Sequence, residues 1–126
     1  MSPHSPSEAI STEIAGIHAA AYERGSERAT TLLDDDLAMC VLRSALTPAE
    51  SLLVANGHRD TVRAQRQAFE HALGPALRAA VERITARTVT SFLPTTHLAP
   101  SLILLTFGFA PAGAGGESVR DVGPAG

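Results

Sequence analysis

Lysine and tryptophan are absent from this chain of 126 residues, cysteine occurs once, and aromatic residues make up only 4%. All ten basic residues are arginines, set against thirteen acidic ones for a formal net charge of −3. An acidic balance without a basic block attracts no phosphate backbone, and so few rings leave little for bases to stack on. Nucleic acid is therefore excluded as a general partner. The lone Cys40 forms no internal disulfide and cannot build a four-cysteine zinc site, which fits a reducing compartment. Among His4, His18, His58, His71 and His97 there is no H-x-x-x-H or H-E-x-x-H pair, so no metal site is expected.

Long hydrophobic runs are missing too. The most apolar stretch, Leu98 to Ala110, is interrupted by Pro100 and falls short of the roughly 20 residues that cross a bilayer. The start, MSPHSPSEAI, has neither the basic residues nor the apolar run of a secretory signal. Both readings point to a cytoplasmic protein without direct membrane insertion. No G-x-S-x-G, G-x-G-x-x-G or Walker pattern occurs, so neither a catalytic nucleophile nor a cofactor is expected.

What is present suffices for one core. Hydrophobic residues make up 44% and charged residues 18%, and a chain of this length buries roughly two thirds of its unfolded surface on folding. Ser5, Pro6 and Glu8 form a capping box, and Ile10, Ile14, Ile17 and Ala21 follow at helical spacing, so a first helix runs from about Pro6 to Tyr22 and stops at Gly25. Ala29 to Leu33 and Leu37 to Leu42 read as two strands joined by the turn Asp34-Asp35-Asp36. The second strand is apolar in both alternating sets, which places Cys40 in the core.

Thr47-Pro48-Ala49-Glu50 repeats the capping box and opens a short helix that ends at Gly57. A long helix follows, with Val62, Phe69, Leu73, Leu77, Ala80, Val81 and Ile84 on its apolar face. Gly74-Pro75 costs about 4 kcal/mol inside a helix, less than burial of that face returns, so packing is expected to win and leave one kinked helix, a full break into two being the alternative. Thr88 to Leu93 and Leu102 to Phe109 form a second hairpin around the turn Pro94-Thr95-Thr96-His97.

The resulting order, α-β-β-α-α-β-β, defines an α+β fold: an antiparallel four-stranded sheet with helices mainly on one face. Residues 1–6 form a flexible start, 7–110 the domain, and 111–126 a Gly/Pro/Ala-rich tail. A sheet with one uncovered face invites a second subunit, so a homodimer is expected.

Two sets of residues are candidates for binding. Arg59, Arg63 and Arg66 fall at i, i+4 and i+7 on the long helix, a stripe that suits an anion or an acidic partner or forms a solvated polar face. Thr95, Thr96 and His97 lie in the expected last turn, where side chains reach solvent or a small ligand.

Taken together, Tyr22-Glu23-Arg24-Gly25-Ser26, Leu33-Asp34-Asp35-Asp36-Leu37, Leu46-Thr47-Pro48-Ala49-Glu50 and the stretch from Val62 to Ala86 before Thr88-Val89 resemble the MpsC family. The family takes its name from a sodium-translocating membrane-potential-generating system. The resemblance runs from about Ser7 to Phe109, and Ala99 stands where members often carry an acidic residue between histidine and proline. It implies a soluble, non-enzymatic accessory protein, tied to a cation- or bicarbonate-handling membrane system through a membrane-transport protein partner.

Overall fold

A computed structural model describes residues 5–22 and 28–111. The chain runs α1 (Pro6–Tyr22), β1 (Arg28–Leu33), β2 (Leu37–Arg43), α2 (Pro48–Ala55), α3 (Arg59–Thr85), β3 (Val89–Leu98) and β4 (Ser101–Phe109). This is the expected α-β-β-α-α-β-β order. The expectations for residues 1–4, for Gly25 and for the tail beyond Pro111 concern positions outside those described.

Both capping boxes form. The Ser5 amide donates to Glu8 Oε1 and the Glu8 amide to Ser5 Oγ, each at 3.2 Å. At α2 the Glu50 amide donates to Thr47 Oγ1 at 3.0 Å and the Thr47 amide to Glu50 Oε1 at 2.9 Å. Helix α2 ends at Asn56, and Gly57 takes the left-handed φ of 87° that lets the chain reverse into α3. The aspartate run closes the β1–β2 hairpin, with the Asp34 amide donating to the Leu37 carbonyl at 2.8 Å.

The four strands form one antiparallel sheet in the order β1-β2-β4-β3, so β1 and β3 are its edges. Helices α1 and α3 pack against each other and against one face of the sheet, and α2 rests on α3. Between helices and sheet lies the core: Ile10 and Ile14 of α1, Leu77 and Val81 of α3, Ala38, Cys40 and Leu42 of β2, and Ile103, Leu105 and Phe107 of β4. Each large apolar side chain so buried contributes roughly 1.5 to 3 kcal/mol. Burial pushes the Cys40 thiol up in pKa, against a smaller downward effect of its hydrogen bond with Thr31, so this thiol is a core group rather than a nucleophile.

The backbone bears out one expectation, that packing carries the long helix α3 through Gly74-Pro75 without a break, and corrects another. Gly74 has a packing reason for being glycine, since a Cβ there would stand 3.3 Å from the Phe92 ring, and its absence lets α3 settle onto β3. The corrected expectation is the position of the last turn. Pro94 to His97 continue β3, paired with Leu105 to Leu102 of β4, and the reversal falls at Ala99-Pro100. An edge strand tolerates proline where its nitrogen faces away from the ladder. The Pro94 carbonyl, on the same side of the chain, accepts instead from Gln67 Nε2 at 2.6 Å.

Candidate functional site

Strand alternation and register sort the sheet residues into two faces. Inward, under the helices, point Ala38, Cys40, Leu42, Ile103, Leu105, Phe107, Thr96 and Leu98. The opposite face carries rows set by the register: Leu32, Met39, Thr106 and Leu93 in one, Thr30, Val41, Leu104 and Thr95 in the next, then Arg28, Arg43, Leu102 and His97. No described helix lies on it. Leu32 is 64% exposed and Leu93 63%.

Of the six residues that the sequence marks for binding, Thr95 and His97 stand on this open face. Thr96 points the other way, and its hydroxyl donates to Gln67 Oε1 at 3.2 Å beneath α3. His97 sits in a strand rather than a loop, because β3 extends beyond Pro94. The arginine stripe divides as well. Arg59 and Arg63 are exposed, and Arg63 meets Asp60 at 3.0 Å. Arg66 is only 1% exposed and belongs to the interior, so the stripe has two solvent-facing members and not three. The reason is helical phase: Val62, Arg66, Glu70, Gly74, Leu77 and Val81 are all buried on one stripe of α3. The six residues thus lie on both sides of the sheet.

Arg66 is the hub of a buried polar cluster. Its Nε donates to Glu50 Oε2 at 3.0 Å and its Nη2 to Glu50 Oε1 at 2.7 Å, the two-pronged geometry that fits guanidinium to carboxylate. Nη2 also donates to the Ala45 carbonyl at 3.1 Å and Nη1 to Ser101 Oγ at 3.4 Å. The Ser101 hydroxyl in turn donates to the Ser44 carbonyl. One side chain therefore ties α3 to α2, to the β2–α2 connection and to the start of β4. One turn further along α3, Glu70 meets His18 of α1, with Nε2 2.8 Å from Oε1 and 2.7 Å from Oε2, and both residues are fully buried.

The motifs did not mark His18 or Glu70 and marked Glu50 only as a helix cap, yet a signal for the cluster was present. His18 continues the Ile10, Ile14 spacing of α1, and Arg66 and Glu70 are in phase with Val62 and Leu77. A charged group in phase with an apolar stripe calls for a buried partner.

Glu50 supplies a pH test. Burial raises its pKa, but hydrogen bonds from Arg66 and from the Thr47 amide, the Arg66 charge and the Thr47 hydroxyl together hold it below the usual carboxylate value. A depressed folded-state pKa contributes stability that is present above the unfolded value, about 4.3, and is lost as the pH falls through the folded value. Urea unfolding of wild type and Glu50→Gln from pH 6 to pH 3 is expected to show a steeper loss for wild type below about pH 4.5. Parallel pH profiles would contradict this account.

The sequence model of a family described as Na+-translocating membrane potential-generating system (MpsC) matches residues 4–109. This chain belongs to the MpsC family. No curated protein and no solved structure matches it. As an MpsC-family member it is joined by that description to a membrane-potential system, while no described helix is long and apolar enough to cross a membrane. Nor do the described residues of this MpsC domain gather three or more histidine, cysteine or acidic side chains in a way that could hold a metal ion.

Proposed function

We propose that this chain is a non-enzymatic accessory or regulatory subunit of a cation- or bicarbonate-handling membrane-potential-generating system. In this reading it acts at the cytoplasmic side as a homodimer and reaches the membrane machinery through a transport-protein partner. The observation that carries the proposal is the family match over residues 4–109. Two features of the domain support it. Its buried ionisable groups, His18, Glu70 and Arg66, engage other parts of the fold and so bind helices together where a catalyst would turn such groups toward a substrate. Arg59 opens α3, where the helix dipole adds to its positive charge, and Arg63 stands exposed in the next turn beside Asp60; the pair offers a basic edge to an acidic segment of a partner.

Affinity capture of the native protein from detergent-solubilised membranes, read by mass spectrometry, tests the reading. The expected result is co-purification of a multi-spanning cation-transport protein, reduced at least about tenfold by Arg59→Glu/Arg63→Glu. Recovery of the chain alone would sink the accessory role. Undiminished capture by the variant would remove the two arginines from it.

A further inference from the structure

Among the described residues, the open sheet face carries opposite charges at the two ends of its strands that no ion pair joins. At one end stand Arg28 and Arg43, which are direct register partners, with His97 in the same row. Like charges placed opposite each other on neighbouring strands repel. No carboxylate meets either guanidinium among the ion pairs of the described residues; Arg43 has only a 3.5 Å hydrogen bond to the Thr30 hydroxyl. At the other end the β1–β2 connection presents Asp34, Asp35 and Asp36, all exposed. The Asp35 and Asp36 carbonyls are taken by Arg87 and by the Phe109 amide. Six residues of strand separate Arg28 from Asp34, about 20 Å, so the two ends cannot satisfy each other within one chain.

Between the charged ends the two middle rows are mostly apolar, with Leu32, Met39, Leu93, Val41 and Leu104 interleaved with Thr30, Thr95 and Thr106. Four strands about 4.8 Å apart and about 20 Å long span on the order of 400 Å², about half of what each partner of a standard-size interface buries, so the charged ends and the loops beside them have to add to the contact. A positive end, an apolar middle and a negative end make a surface complementary to its own reverse.

We infer that this face is a self-interface: a second copy packs on it about a two-fold axis running across the strands, setting Arg28 and Arg43 of each chain against Asp34 to Asp36 of the other. Such an axis reverses strand direction and keeps strand order, so both charge contacts form at once, as an isologous interface requires. The apolar rows meet in the middle as in an aligned sheet sandwich. The inference rests on the homodimer part of the proposed function and is independent of the membrane partner.

A charge-swap experiment on the full chain tests it by sedimentation equilibrium. Wild type is expected to be a dimer. One variant, Arg28→Asp/Arg43→Asp, makes both ends acidic, and a second, Asp35→Arg/Asp36→Arg, makes both ends basic while keeping the Asp34 turn. Each alone is expected to dimerise at least about tenfold more weakly, and an equimolar mixture to form a one-to-one heterodimer near wild-type affinity. Leu104→Asp, on an inner strand, separates this arrangement from pairing of β1 edges: the face dimer is lost, whereas an edge dimer would persist. Circular dichroism melts of each variant establish that it is folded. Wild-type dimerisation by either variant alone, failure of the mixture to associate, or a dimeric Leu104→Asp would each overturn the interface. A monomeric wild type would overturn it together with the homodimer, leaving the membrane-partner reading to its own test.

Discussion

Arg66→Ala is expected to lower the stability of the domain by about 3 to 5 kcal/mol, read as a shift in the urea midpoint. The guanidinium is 1% exposed, and its removal leaves the Glu50 carboxylate, which is 14% exposed, without the charge that faces it. Taking one member from a buried ion pair costs more than the pair contributes, because the surviving charge stays desolvated. Replacing both members, as Arg66→Met/Glu50→Gln, is therefore expected to recover a substantial part of the loss. A double variant as unstable as the sum of its single changes would show that the two side chains act separately. Against a total stability of about 5 to 15 kcal/mol, the single change brings the domain close to unfolding.

The second large effect is expected at Glu70. Its carboxylate and the His18 ring are both fully buried at the crossing of α3 and α1. Glu70→Ala leaves the ring facing the space of the lost carboxylate, and a cost of about 3 kcal/mol or more is expected. The loss should be felt first in α1, which would exchange its amides faster than β2 and β4 do. Hydrogen exchange read by mass spectrometry resolves this. Uniform acceleration over the whole domain would mean that the pair serves the core in general and does not specifically dock α1. His18→Leu/Glu70→Leu, which removes both polar groups and keeps most of the volume, should restore protection in α1.

Much of this fold was legible because its signals are local. The Ser5/Glu8 and Thr47/Glu50 boxes placed two helix starts, and both are made by hydrogen bonds in the structure. The aspartate run placed the first hairpin turn, because short acidic side chains satisfy turn amides, as Asp34 Oδ1 does for the Asp35 amide at 2.8 Å. The second turn was misplaced for a tertiary reason. Pro94 reads as a turn residue until it is known that β3 is an edge and that Gln67 is at hand for its carbonyl.

The polar cluster was obscured for a related reason. Arg66 looks like the third member of an exposed stripe when counted from Arg59 and Arg63, and like a core residue when counted from Val62 and Leu77. Spacing alone does not choose between the two, since helix neighbours at i+3 and i+4 lie on both sides of any boundary between faces. The choice is made by Glu50, 16 residues away on α2, whose carboxylate gives the buried guanidinium its partner. Conversely, the open sheet face was foreseeable in outline, because the helices are too few to cover both sides. Its opposite charges at the two ends emerge only once register aligns Arg28 with Arg43.

The strand order also has a kinetic side. β1–β2 and β3–β4 are hairpins whose strands are neighbours in sequence, so each closes over a short connection. The junction between them, β2 on β4, pairs Arg43 with Leu102 and can form only after α2 and α3 have been drawn into one closed loop. Loop entropy rises slowly with length, but it is lost before the new contacts repay it, so topology leads one to expect this central ladder to form last. Residues that meet there, such as Cys40 with Leu105 and Leu42 with Ile103, are therefore expected to affect how fast the chain folds as well as how firmly it stays folded, which folding rates of conservative variants would check.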